Sequence, residues 1–202
     1  MLRVDIGSGL LDEARQVPSP NCDERPTAAV VELVVVHGIS LPPGEYGGGW
    51  VEALFTNRLD PAAHPYFAEI ADLRVSAHLL IDREGQVTQF VPLNRRAWHA
   101  GASCFQGRER CNDFAVGIEL EGEDEIPYTD AQYARLAEVI AALCEAYPAL
   151  TAERIVGHAD IAPGRKTDPG PAFDWDHLHR LLAGRAGARD QGTGIRDSKP
   201  ET

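Results

Sequence analysis

Apolar positions along this chain fall into three rhythms. The stretch AVVELVVVHG (29–38) is β-branched without alternation and predicts a central strand buried on both faces, stopping at Gly38 with His37 at its end. FAVGIELEG (114–122) alternates instead: Val116, Ile118 and Leu120 share one face, and Gly117, Glu119 and Glu121 share the other. Two apolar runs around DREG within 76–92 read as a hairpin, and RIVGH (154–158) reads as a short strand ending at His158. Three-and-four spacing of Tyr133, Leu136, Ala137, Ile140, Cys144 and Tyr147 predicts a helix over 130–147, capped by Thr129 or Asp130, with Pro148 beyond its end. A shorter helix is expected through WVEALFTN after the glycine-rich loop 41–50. A last helix is expected over 174–184, capped by Asp174, with Trp175, Leu178 and Leu182 inward.

These elements predict an α/β (α+β) domain, a mixed central sheet flanked by helices, over residues 1–186. Residues 187–202 are polar and aperiodic and are expected to form a disordered tail. There is no internal repeat. A length of 202 residues suits one core.

Charge narrows the partners. Lys and Arg total 19 against 31 Asp and Glu, and a net −12 opposes binding to nucleic acid or an anionic membrane. No apolar window reaches the roughly 18 residues that a membrane span needs, and the first residues lack a signal-peptide core. Cys22, Cys104, Cys111 and Cys144 form no CxxC pair and are expected to be reduced thiols in a cytoplasmic protein.

The segment HADIAPGRKTDPGPAFDW (158–175) carries ionisable side chains on a backbone that Pro163, Pro169 and Pro171 keep irregular. It contains His158 and Asp168, and His37 leaves another strand end. Two imidazoles and one carboxylate suffice for a hydrolytic zinc site with a fourth position for water. Spacing alone does not separate that reading from ordinary hydrogen-bonded loop residues, because no HExxH is present. His64, His78, His99, His177 and His179 show how little one histidine signifies. Glu119 is either one carboxylate on a solvated sheet face or a general base, and Lys166 either a loop lysine or an oxyanion partner.

Six ordered motifs then add a resemblance: VVHGISLPPGEYGG, RVSAHLLI, RRAWHAG, FQGRERCNDFAVGIELEG, YTDAQY and GHADIAPGRKTDPGPAFDW. Together they resemble the type-2 N-acetylmuramoyl-L-alanine amidases, a family that includes the peptidoglycan recognition proteins, over roughly residues 15–182. The resemblance implies one zinc per chain on His37, His158 and Asp168, with Glu119 as proton acceptor and Lys166 stabilising the transition state. It implies hydrolysis of the lactyl–L-Ala amide of 1,6-anhydro-muropeptides in cytoplasmic peptidoglycan recycling, by a monomer whose partner is that small molecule. Arg74 and Arg110 are expected to contact the stem peptide, and Tyr46, Tyr66 and Trp98 to wall the cleft. Gly38 departs from the family, which usually has Asn there. Two rivals stand: a non-catalytic peptidoglycan-binding module of the same fold, and a thiol hydrolase using Cys104 or Cys111.

Overall fold

The two runs richest in apolar residues lie side by side: β2 (Leu33–Ile39) and β5 (Ala115–Glu121) pair in parallel at the middle of a six-stranded mixed sheet. The computed structural model describes residues 2–190, with side chains through Arg185. The other strands are β1 (Arg15–Gln16), β3 (Leu79–Ile81), β4 (Val87–Gln89) and β6 (Ile155–Gly157), and the spatial order is β6-β2-β5-β3-β4-β1. The expected hairpin is present, with Leu79 opposite Gln89. The expected strand over 29–38 begins later, at Leu33, and runs to Ile39, so His37 lies within it. Pairing explains the shift, because Leu33 is the first residue with a partner on β5, Ala115.

Even-numbered residues of the two central strands (Val34, Val36, Val116, Ile118, Leu120) form one core with α3 (Asp130–Ala146) and α5 (Trp175–Asp190). Helix α3 starts through a capping box. The Gln132 amide N–H donates to Thr129 Oγ1 at 3.1 Å, and the Thr129 N–H donates to Gln132 Oε1 at 3.0 Å. The Gln132 side chain also donates to the Glu121 carbonyl at 2.9 Å, tying the helix start to the end of β5. Leu136 is fully buried in this core. Leu136→Ala is expected to cost about 2–5 kcal/mol, read as a lower denaturant midpoint with the slope unchanged.

On the opposite face, Leu33, Val35 and Ala115 pack against Ala100, Cys111, Phe114 and Ile161. A further core around Phe55, Phe67 and Phe90 seats α1 (Trp50–Phe55) and α2 (Pro65–Ile70). Helix α2 has no strong periodicity. It is nucleated by Pro65 at its first position and by His64, whose ring accepts from the Tyr66 N–H at 3.1 Å.

Asp174 caps α5 as expected, its Oδ1 accepting from the His177 N–H at 2.8 Å. The helix does not end at the expected 184. It continues through Gly184 and Gly187 to Asp190. The remainder of the expected tail, 191–202, lies outside the described residues. None of the described helices is long and apolar enough to cross a membrane.

Candidate active site

Parallel register places His37 of β2 directly beside Glu119 of β5, both on the odd-numbered face. That face is apolar where the strands begin and polar where they end, the usual location of a site in a parallel sheet. On the far side of β2, strand β6 runs into α4 (His158–Ile161), so His158 opens a helical turn instead of ending a strand. The Ala159 N–H donates to the Asp168 carbonyl at 3.0 Å and folds the Asp168 loop back over that turn. The Tyr128 hydroxyl donates to the next carbonyl, Pro169, at 3.0 Å. A Cβ on Gly38 would meet that hydroxyl, so the volume near an Asn at this position is taken by Tyr128.

Three ligand-type atoms converge. His37 Nδ1 lies 3.0 Å from His158 Nδ1, and each lies 3.1 Å from Asp168 Oδ2. Ligand atoms about 2.0–2.1 Å from a zinc ion stand about 3.3 Å apart at tetrahedral angles, so this donor set fits zinc with little adjustment. Among the described residues this trio forms a group able to hold a metal ion. Burial lowers the His37 pKa to about 4, against the opposing pull of Asp168. Its imidazole is therefore neutral at pH 7, with a lone pair to offer, and its contact with Asp168 is not an ion pair. Burial alone would raise Asp168, but its hydrogen bonds with His158 and His37 outweigh that and hold it well below the usual carboxylate range.

Every residue of β5 is buried, so Glu119 does not lie on a solvated sheet face. Glu119 is 8% exposed, and its Oε2 is buried with no hydrogen-bond partner among the described residues. Burial and then the Asp168 charge push its pKa well above the ordinary value of 4.5, with Lys166 pulling the other way. A buried carboxyl without a partner is costly unless something in the site uses it.

The trio, Glu119 and Lys166 line one cleft of about 310 Å³, and Tyr66 and Trp98 also line it. A larger apolar groove of about 680 Å³, bordered by Ile140, Cys144, Ile155 and Leu182, holds none of these groups. Lys166 is exposed on the loop before Asp168. Tyr46, Arg74 and Arg110 are not among the cleft-lining residues. The Tyr46 hydroxyl donates to Glu123 Oε1 at 3.2 Å, and the Arg74 guanidinium donates to the Ala71 and Leu73 carbonyls at 3.0 Å. Arg110 pairs with Asp113 at 3.2 Å and borders a separate depression together with Cys104. Cys111 is buried, and burial pushes its thiol pKa up, which disfavours a thiolate.

One histidine given no role from the sequence belongs to the site: His99 lines the cleft, and its Nδ1 lies 2.9 Å from His37 Nε2. Only its place in the RRAWHAG motif set it apart from the other scattered histidines.

Residues 27–171 match the model of the N-acetylmuramoyl-L-alanine amidase family. The chain belongs to this family. It is 62% identical over 175 residues to the 1,6-anhydro-N-acetylmuramyl-L-alanine amidase AmpD of Salmonella typhimurium, a match covering 87% of this chain and 93% of that one. A crystal structure of a selenomethionine derivative of AmpD superimposes with a TM-score of 0.85 at 60% identity, covering 89% of this chain and 98% of that one. The Escherichia coli amidase AmiD, solved with the substrate anhydro-N-acetylmuramic acid-L-Ala-D-γ-Glu-L-Lys, is more distant. It has a TM-score of 0.55 at 27% identity, covering 89% of this chain and 70% of that one.

Proposed function

We propose that this protein is a zinc-dependent amidase that hydrolyses the bond between the lactyl group of N-acetylmuramic acid and L-alanine in 1,6-anhydro-muropeptides. The observation that carries this reading is the convergence of two imidazole Nδ1 atoms and one carboxylate oxygen at 3.0–3.1 Å beside the unpartnered Glu119. The substrate class rests on the 62% identity to an enzyme named for that reaction.

His37, His158 and Asp168 would hold one zinc. When bound, zinc supplies Lewis acidity that polarises a carbonyl and makes a water acidic near neutral pH. Glu119 takes the proton from the attacking water as its oxygen bonds to the carbonyl carbon. It then returns that proton to the alanine nitrogen as the C–N bond breaks. Lys166 offers its ammonium to the carbonyl oxygen as negative charge develops there. Tyr66 and Trp98 present apolar surface to the sugar and lactyl groups. One chain supplies all of these groups, which supports action as a monomer, and four cysteines outside any disulfide fit a reducing cytoplasm.

Zinc-loaded protein mixed with an anhydromuramyl tripeptide is expected to release free tripeptide, followed by mass spectrometry. A chelator should abolish turnover and added zinc restore it, while thiol alkylation leaves it intact. Intact substrate in the presence of stoichiometric zinc would favour the non-catalytic module, and the reversed inhibitor pattern would favour the thiol enzyme. Lys166→Met is expected to retain zinc and lose about 10²–10³ in kcat, as loss of an oxyanion partner does elsewhere.

A further inference from the structure

Both ligand imidazoles direct Nδ1 at the shared centre, which leaves each Nε2 to be held from behind. His37 Nε2 lies 2.9 Å from His99 Nδ1, and His158 Nε2 lies 3.3 Å from the Ala100 carbonyl oxygen. Two adjacent residues thus meet the outer nitrogens of two ligands that are 121 positions apart in sequence. A lone pair committed at Nδ1 requires the hydrogen on Nε2, so both ligands must donate outward. A carbonyl can only accept. His99 accepts at Nδ1 only when its own hydrogen sits on Nε2.

The surroundings hold this pair in place, while His99 Nε2, which would carry that hydrogen, is buried with no hydrogen-bond partner among the described residues. A Cβ on Gly117 would collide with the His99 ring, so the middle of β5 lacks a side chain where that ring lies. The His99 and His37 rings meet edge to face, with centroids 5.0 Å apart and planes at 86°. Asn112, in the turn just before β5, accepts at one Oδ1 from the His99 N–H at 3.1 Å and the Ala100 N–H at 2.8 Å. Arg165 donates to the Ala100 carbonyl at 2.7 Å and the Ala102 carbonyl at 2.6 Å, fixing the same segment from the metal loop.

We propose that the His99 ring and the Ala100 carbonyl, clamped by Asn112, set the tautomer and orientation of both histidine ligands. His99 and Asn112 are positioning residues that act through His37 and His158. The inference rests on the zinc reading above.

Zinc affinity, measured by chelator competition, tests it without recourse to turnover. His99→Phe keeps a ring beside Gly117 but has no acceptor, and is expected to weaken zinc binding about 10–100-fold, with His99→Gln recovering most of the loss. Asn112→Leu should weaken binding in the same range and Asn112→Asp should restore it. Long-range ¹H–¹⁵N NMR of the zinc-loaded wild type should show the Nε2–H form for His37, His99 and His158. That measurement decides the matter even if the variants fold poorly: an Nδ1–H form of His99 overturns the inference. So does unchanged affinity in His99→Phe when the wild type binds tightly. A wild type that takes up no zinc overturns the metal reading and this inference with it.

Discussion

His158→Ala is expected to leave the protein without stoichiometric zinc and to lower turnover of an anhydromuramyl peptide by at least about 10³-fold. The magnitude follows from the several kcal/mol that a Lewis acid contributes to a hydrolytic transition state. The imidazole lost is 3% exposed and supplies one corner of the trio, and alanine offers nothing in its place. Thermal unfolding gives a second readout. Zinc at a thousandfold excess over its Kd should stabilise the wild type by about 4 kcal/mol, and should barely move the melting temperature of the variant. Elemental analysis that found one zinc per chain in His158→Ala would remove His158 from the ligand set.

Glu119→Gln should separate catalysis from stability. Turnover is expected to fall about 10²–10⁴-fold with zinc retained, because an amide cannot accept the proton. Metal-free stability should change in the opposite direction. Burial raises the Glu119 pKa above its unfolded value, so the folded chain holds this proton more tightly than the unfolded chain does. Its contribution to stability is complete below the ordinary value of 4.5 and declines as pH rises from there toward the folded-state pKa. At pH 7 the wild type has therefore lost part of that contribution, and Glu119→Gln, which has no such proton to hold, should melt at a higher temperature in the metal-free form. A variant of near-normal kcat would dismiss the general base. A variant less stable than the metal-free wild type would dismiss the burial argument.

Several parts of the architecture were legible before any coordinates. The three-and-four spacing of 130–147 and the alternation of 114–122 each depend on neighbours a few residues away, so periodicity marks them. The TDAQ cap of α3 is likewise a local hydrogen-bonding pattern, formed at Thr129, one of the two expected cap residues. Local patterns were weaker where elements are too short to show a period, as with the two-residue β1 and with α2. The end of α5 lies at Asp190 and not at the expected 184, beyond both Gly184 and Gly187, so glycine alone does not mark where this helix stops.

The site divides in the same way. The residue types able to bind a cation or move a proton, and the motifs that tie them to the amidase family, are written in the chain. Their meeting is not. Residues 37, 158 and 168 become neighbours only because β6 and β5 flank β2 in parallel, and parallel register is set by long-range pairing that no local period encodes. The same pairing buries the Glu119 face, which alternation alone left equally suited to water. It also brings His99 behind His37, and gathers Tyr66 and Trp98 at the cleft while Tyr46, Arg74 and Arg110 line other surface. Side-chain chemistry belongs to individual residues, whereas burial, pKa and coordination belong to their neighbours in space. Chain order does not specify those neighbours until the sheet has formed.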